Sequence, residues 1–180
     1  MGYVEETGAA QTLRDVRITT IYEGTTGIQS NDLIGRKIGR DGGATLHAFI
    51  EEMQQSLRAL QGEHPAMART RDAALAAVDR LGAAAAALLQ KLATAPDHAM
   101  AVSVPFMMMC GYTIGGWLMA RAAQVAAEKL SQGSADREFF EAKLASTYFY
   151  ATQVLPQTLA LEQIVRQGSE AVVTTDAALI

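Results

Sequence analysis

The chain has 180 residues, of which 49% are hydrophobic and 19% are charged, and its net charge is −4. This length is enough for one domain, or for the end of one domain followed by a second small one. Because the net charge is negative, nothing in the composition indicates a polyanion-binding surface, and nucleic acid is not an expected partner. A single cysteine excludes an internal disulfide and no signal peptide is visible, so we predict a reducing, cytoplasmic location.

Glycines and prolines divide the chain into helices, and strand signals are few. The first part predicts a short helix over residues 4–13, a link over residues 14–22 and a second helix over residues 26–38, which glycines 39, 42 and 43 end. The next helix, over residues 44–60, carries apolar residues on one face at offsets of 3, 4, 7, 11 and 14 from Leu46. That face predicts burial against other helices.

Three longer helices are predicted in the remainder of the chain. One begins at Pro65, a favoured first-turn residue, and runs to about residue 93. The next covers residues 98–130, with Pro105 either starting it or kinking it. The last covers residues 136–167 and is bent at Pro156. Together these segments predict an all-α fold in which residues 41–168 form a four-helix-bundle-like domain and residues 169–180 a loose tail.

One segment allows a second interpretation, as a membrane span. Residues 99–120 contain no charged side chain, which approaches the ~20 residues that cross a bilayer. Polar residues, proline and glycines interrupt the segment, so we predict a buried central helix and no membrane partner. The spacing of Gly111 and Gly115 then predicts a close helix–helix crossing. Cys110 and the run Met107-Met108-Met109 are expected in the core, rather than as a reactive thiol or a soft binding surface.

The segment from Ile21 to Gly35 carries the most functional information. It places Glu23 on a Gly-flanked turn before the apolar-periodic run of the second helix. A carboxylate in this position can serve as a catalytic base. It can equally be a helix-start carboxylate that interacts with the helix macrodipole. From the spacing alone both interpretations stay open.

Several separated elements occur in a specific order around this turn. Gly2-Tyr3, then Arg14-Asp15-Val16-Arg17, then Tyr22-Glu23-Gly24-Thr25 with Ile28-Gln29 resemble the C-terminal signature of the flavin-dependent acyl-CoA dehydrogenases. The longer run from Gly27 to Lys37, followed by a long helical region, is similar to the branch that includes 3-methylmercaptopropionyl-CoA dehydrogenase. Members of that branch carry an extra C-terminal helical domain.

The resemblance implies roles for three neighbouring residues. Glu23 would remove the α-proton of an acyl-CoA thioester while hydride leaves the β-carbon for the flavin. Such a base needs an apolar pocket that raises its pKa and an oxyanion site that stabilises the enolate-like charge. Glu23 and Gly24 would contact the substrate, with the Glu23 N–H as one oxyanion donor, and the Thr25 hydroxyl would contact the flavin diphosphate. Gly27 departs from the family pattern, which has a side-chain amide there.

The resemblance also implies that the chain is part of a larger enzyme. Residues 1–40 would end the helical C-terminal domain of an acyl-CoA dehydrogenase, and residues 41–168 would form the accessory bundle. The family's other flavin-binding and CoA-binding regions leave no trace in the sequence, so we expect a fragment that begins inside a motif, is inactive alone and binds no FAD. The parent would use FAD, take acyl-CoA as substrate, pass electrons to an electron-transfer flavoprotein and form a homo-oligomer.

Two further expectations complete the sequence interpretation. His47, His64 and His98 lack a ligand-like spacing, so no metal site is predicted. The alternative function is a non-catalytic oligomerisation or interaction module, in which the helices over residues 44–167 mediate contacts and the Glu23 motif is vestigial.

Overall fold

The computed structural model describes residues 5–21, 24–62 and 64–179. All regular elements within these ranges are helical, which confirms the predicted all-α class. The helices are α1 Ala9–Ile21, α2 Thr26–Asp32, α3 Ala44–Ala59, α4 Pro65–Thr94, α5 Pro96–Ala101, α6 Ser103–Ser131, α7 Arg137–Phe149, α8 Gln157–Gln167 and α9 Ser169–Thr174. The other elements are the π-helical turns Leu33–Ile38 and Tyr150–Val154 and the 3-10 segments Glu5–Thr7, Gly39–Asp41 and Ala177–Leu179.

Helix α1 extends through the segment for which the sequence predicted a link. It begins after Gly8, whose φ of 72° turns the chain, and it continues to Ile21. The β-branched residues near its end lower helix propensity, but that preference is small. Two threonine hydroxyls instead donate to helix carbonyls, Thr19 Oγ1 to Val16 at 2.6 Å and Thr20 Oγ1 to Arg17 at 3.0 Å. The threonines therefore bond within the helix and do not end it.

The core lies around α4 and α6, the two longest helices, with α3, α7 and α8 packed against them. The apolar faces predicted for the third and fourth helices are confirmed, because their central residues are buried: Ile50, Met53 and Leu57 on α3, and Val78, Leu81 and Leu88 on α4. Side chains of this size stabilise a fold by ~1.5–3 kcal/mol each when fully buried. This burial holds the helices together.

Two prolines interrupt the longest predicted helices. A proline ring clashes with the carbonyl four residues earlier. For Pro105 this is the carbonyl of Ala101, the last residue of α5. For Pro156 the chain adjusts by a π-helical turn, in which the Leu155 N–H donates to the Tyr150 carbonyl at 3.1 Å. Because two of the four predicted rods are broken, the four-helix-bundle topology stays a prediction.

The charge-free segment 99–120 is divided between α5 and α6. No helix among residues 5–21, 24–62 and 64–179 combines the length and apolar character that a bilayer crossing requires. Met109 is fully buried, as expected, whereas Met108 is 40% exposed. Burial raises the pKa of the Cys110 thiol to about 12, so this thiol is unreactive at neutral pH, as predicted.

The structure also differs from the loose tail predicted after Gly168. Residues 169–174 form α9, and Ser169 is 3% exposed. Its hydroxyl lies 3.1 Å from His98 Nδ1 on α5. This contact attaches α9 to the body of the fold.

A close crossing exists on α6, but it lies beside the predicted position. Gly111 is exposed, and nothing lies within 4 Å of the place where its Cβ would be. The crossing is made by the next two glycines: a Cβ on Gly115 would meet the Tyr150 hydroxyl, and one on Gly116 would lie 2.7 Å from Leu155 Cδ2. The π-helical turn before Pro156 therefore packs on bare backbone of α6.

Asp41 starts α3. Its carboxylate accepts hydrogen bonds from the Gly43 N–H at 3.0 Å, the Thr45 N–H at 2.9 Å and the Thr45 hydroxyl at 2.5 Å. These donors, the Thr45 hydroxyl foremost, hold the pKa of Asp41 below its ordinary value of 3.8. Gly42 and Gly43, at φ of 64° and 86°, make the turn that brings the donors together.

Gly116→Ala should destabilise the fold by ~1–3 kcal/mol, because the new methyl group would overlap Leu155, which is buried and cannot move aside. Gly82→Ala on α4 is the matched control, since its Cβ would lie 3.7 Å from Ile50 Cγ2, an ordinary contact. This control should stabilise by ~0.5–1 kcal/mol through helix propensity. Urea unfolding followed by circular dichroism measures both, and a stabilising effect of Gly116→Ala would contradict the crossing.

Asp41→Asn should reduce the loss of stability in acid. A carboxylate whose pKa is lowered in the fold stabilises it above the unfolded pKa, and this stabilisation disappears as the pH falls through the lower folded pKa. The variant should therefore be less stable than wild type at pH ~7 and should approach it below pH ~4. Asp136→Asn is the control, because Asp136 also precedes a helix but its side chain makes no capping hydrogen bond. Parallel stability curves for wild type and Asp41→Asn would show that these hydrogen bonds contribute nothing.

Candidate active-site segment

The predicted base Glu23, with Tyr22, lies outside the described residues, so its geometry is not part of this structure. The structure describes its neighbours Gly24 and Thr25, which connect α1 to α2. Gly24 is exposed and has a φ of 98°, a conformation that side chains disfavour. Nothing lies within 4 Å of the place where its Cβ would be. The chain therefore turns here through open space that a ligand can approach.

Thr25 is half-buried and directly precedes α2. Its carbonyl accepts a hydrogen bond from the Gln29 N–H at 2.8 Å, whereas its side chain makes no capping hydrogen bond. The Thr25 hydroxyl is thus not used to cap the helix. Gly27, the departure from the family pattern, is exposed with nothing within 4 Å of its Cβ position, so a side chain would fit there.

A buried pair of hydroxyls joins α2 to the start of α6. Ser30 and Ser103 are 0% and 3% exposed, and their Oγ atoms lie 3.0 Å apart. Ser30 Oγ also donates to the Gly27 carbonyl at 2.8 Å, and Ser103 Oγ donates to Asn31 Oδ1 at 2.8 Å. Two hydroxyl hydrogens thus serve three contacts. The turn that carries the motif is thereby tied to a residue 73 positions later in the chain.

The π-helical turn after α2 extends this attachment. A π-helical turn widens the helix and changes which side chains face inward, and here Ile34 and Ile38 enter the core at 0% and 6% exposure. On the outer side, Arg36 donates to both carboxylate oxygens of Asp32, at 2.5 and 2.8 Å. The Arg36 hydrogen bond lowers the pKa of Asp32. The segment is thus packed on its inner side, and a charged pair covers its outer side.

Helix α1 leaves apolar surface uncovered among the described residues. Ala10 is its only residue classed as buried. Large apolar side chains on α1 and the next turn are half to three-quarters exposed: Leu13, Val16, Ile18, Ile21 and Ile28. Apolar surface of this extent marks an interaction site. It surrounds the Gly24 turn on both sides in sequence.

A cleft of about 460 Å³ lies between α3 and α4 but does not include the motif segment. Its walls are mostly apolar, with Leu46, Ile50 and Leu89 among them, and the His47–Glu51 pair lies at its edge with 3.4 Å between Nε2 and Oε1. Both members of that pair are exposed. The cleft therefore offers no buried acid or base for catalysis.

Sequence analysis missed the role of Ser103. The sequence shows it only as a polar residue inside an apolar segment, which counted against a membrane span. Its partner Asn31 belongs to the motif, but nothing in the spacing connects two residues so far apart. A buried serine near a proline in an otherwise apolar helix was the available signal.

Comparison with known proteins agrees with the motif. Residues 45–176 match the family model described as acetyl-CoA dehydrogenase C-terminal like. Over 97% of its length the chain is 41% identical to the 3-methylmercaptopropionyl-CoA dehydrogenase of Ruegeria pomeroyi, covering 29% of that protein. Over 91% of its length it is 32% identical to a broad-specificity linear acyl-CoA dehydrogenase of Mycobacterium tuberculosis, covering 28% of it.

A third relative extends the range of substrates named. Over 92% of its length the chain is 28% identical to a butyryl-CoA dehydrogenase of Syntrophomonas wolfei, covering 27% of that enzyme. The chain thus spans less than a third of the length of these relatives. With most of its residues inside the family match, the chain belongs to the acyl-CoA dehydrogenase family of oxidoreductases and matches the C-terminal part of its members.

Proposed function

We propose that the complete protein is an FAD-dependent acyl-CoA dehydrogenase that oxidises an acyl-CoA to its 2-enoyl-CoA, with Glu23 as the base. The observation that supports this most directly is the exposed turn at Gly24, which is open on its outer side and fastened to the bundle through Ser30. The relatives' names support the substrate class. As the family implies, an electron-transfer flavoprotein would be the electron acceptor.

The proposed chemistry assigns one task to each motif residue. An α-proton of a thioester is weakly acidic, so Glu23 needs an apolar surrounding that raises its pKa towards the working pH. The Glu23 N–H would donate to the thioester oxygen as negative charge develops there. Gly24 lets the substrate approach the backbone, because it presents no side chain. FAD, when bound, supplies the acceptor for the hydride that leaves the β-carbon.

The described residues fit one edge of an FAD site. Thr25 presents a hydroxyl that is not used as a helix cap, beside the open space at Gly24 and Gly27. A flavin ring needs walls on more than one side, and the apolar surface of α1 offers a contact for a further domain. We therefore propose that the remaining walls come from other parts of the complete protein, and that these 180 residues alone bind no FAD tightly.

The accessory bundle has a positioning role in this proposal. Residues 1–40 carry the motif and residues 41–168 form the bundle, and the two meet at the Ser30–Ser103 contact and at Ile34 and Ile38. A base must be held within a fraction of an ångström to react efficiently. We propose that the bundle supplies this rigidity to the helix that follows Glu23.

Ser30→Ala and Ser103→Ala should be energetically coupled. Each single change should cost ~0.5–1.5 kcal/mol, because it removes hydrogen bonds of buried hydroxyls. The double variant should lose less than the sum, by ~0.5 kcal/mol or more, because the shared contact is lost only once. Urea unfolding of the four proteins measures this cycle.

Ser146→Ala provides the control pair for that cycle. Ser146 is exposed on α7 and donates to the Ala142 carbonyl at 2.9 Å, away from α2. Combined with Ser30→Ala it should be additive within ~0.3–0.5 kcal/mol. Additivity of Ser30→Ala with Ser103→Ala as well would show that the two hydroxyls do not hold the segments together.

Glu23→Gln in the complete enzyme should abolish flavin reduction while substrate still binds. Glutamine keeps the size and most hydrogen bonding but cannot take a proton, so the rate should fall by ~10²-fold or more. Anaerobic bleaching of the flavin at saturating acyl-CoA measures the chemical step separately from binding. Glu23→Asp should lie between, because the carboxylate keeps its basicity but is drawn back by one methylene.

Glu51→Gln is the matched control, since Glu51 is an exposed carboxylate on α3. It should bleach at the wild-type rate. Bleaching of Glu23→Gln at the same rate would assign the base to another residue and leave Glu23 as a helix-start carboxylate.

A further inference from the structure

The outer face of α6 carries a continuous apolar stripe. Its members follow one another at intervals of three, four and seven residues: Val104, Met108, Gly111, Leu118, Ala122 and Val125. The stripe is ~33 Å long at the rise of an α-helix, and none of its members is charged. This spacing is typical of the seam between two paired helices.

The described residues leave this stripe open. Met108, Leu118 and Val125 are 40%, 50% and 52% exposed, and nothing lies within 4 Å of the Cβ position of Gly111. The helices α4, α7 and α8 pack against other sides of α6. An uncovered apolar stripe of this length on the central helix of a fold indicates an interaction surface.

We propose that a second copy of the chain covers this stripe, with the two α6 helices antiparallel across a two-fold axis midway between Gly111 and Leu118. Each Leu118 then lies over Gly111 of the other copy, so both contacts form at once. By the same symmetry, Met108 lies beside Ala122, and Val104 beside Val125. Large side chains face small ones along the stripe, and the stripe is complementary to itself.

Charge favours the antiparallel orientation. Arg121 lies at the edge of the stripe, with its guanidinium 5.1 Å from the centre of the Trp117 ring. In the antiparallel pair the two Arg121 side chains are separated by ~20 Å of helix, which is beyond the ~8–10 Å over which exposed charges interact. A parallel pair would bring the two arginines together and would place Gly111 against Gly111, which leaves a gap.

The area of the stripe predicts a reversible dimer. A helix 10–12 Å wide offers ~350 Å² per copy over this length, so the pair buries ~700 Å², below the ~1,200 Å² of stable complexes. The dimer should therefore form as the protein concentration rises. It is independent of the proposed activity, because the stripe does not include the Gly24 turn.

Sedimentation equilibrium of the purified chain over a wide concentration range tests the dimer. Wild type should pass from monomer to dimer, whereas Leu118→Glu should stay monomeric with unchanged circular dichroism. Leu159→Glu is the matched control, because Leu159 on α8 is 55% exposed and lies outside the stripe. It should associate like wild type. A wild type that is monomeric at every concentration would overturn the proposal.

Gly111→Leu distinguishes specific packing from general stickiness. Added leucine makes the stripe more apolar, so nonspecific association would increase. In the proposed pair it fills the space that Leu118 of the other copy occupies, so dimerisation should weaken at least tenfold. The monomer should fold normally, since Gly111 has open space around it. Unchanged or stronger dimerisation of Gly111→Leu would overturn the packing.

Cysteine cross-linking tests the orientation. Under mild oxidation the double variant with Val104→Cys and Val125→Cys should form disulfide-linked dimers, and either single variant should not. The buried Cys110 should take no part, because its thiol is protonated. Efficient cross-linking of a single variant would show a parallel pair and would overturn the antiparallel arrangement.

Discussion

Small side chains let α4 and α6 pack closely, and the remaining helices from α2 to α8 rest on one or both of these two. Ala74, Ala77 and Ala84 on α4 and Ala120 and Ala123 on α6 are all fully buried. Alanine removes little apolar area from water, so close approach and the resulting dispersion contacts must contribute much of the cohesion. Interiors packed in this way accept little added volume. The same constraint appears at Gly115 and Gly116, where Tyr150 and Leu155 lie on helix backbone.

The division of labour within the chain follows from this packing. The family match begins at residue 45, after the motif segment, so the recognisable domain and the proposed chemistry occupy different parts of the sequence. They are joined where Ser103 meets Ser30 and where Ile34 enters the core. The break between α5 and α6 makes this junction possible, because it brings Ser103 to a helix start. Pro105, which causes the break, thus contributes indirectly to the placement of the motif.

Helix class and most core positions could be predicted from the sequence, because apolar periodicity on α3 and α4 is strong. The prediction failed where local preference and context disagree: Ile18 to Ile21 favour extended backbone but continue α1, and Ser169 follows a glycine but begins α9. The long-range contact of Ser30 with Ser103 could not be predicted, since spacing carries no information about such distant partners. The motif around Glu23 was recognisable only by resemblance, and its geometry depends on residues outside the described chain segments. The close crossing on α6 was expected, but which glycines make it depends on where Tyr150 lies.

The attachment of the motif segment also affects how the protein opens. Helices α3 to α8 form most of the core without α2, whereas α2 contributes one buried residue, Ser30. A local opening that breaks the contacts of Ser30, Ile34 and Ile38 would release residues 24–38 and leave the rest of the bundle folded, at a free energy below that of global unfolding. Amide hydrogens of this segment would then exchange with solvent sooner than those of α4. The segment nearest to the proposed chemistry is thus the part of the fold that can detach as a separate unit.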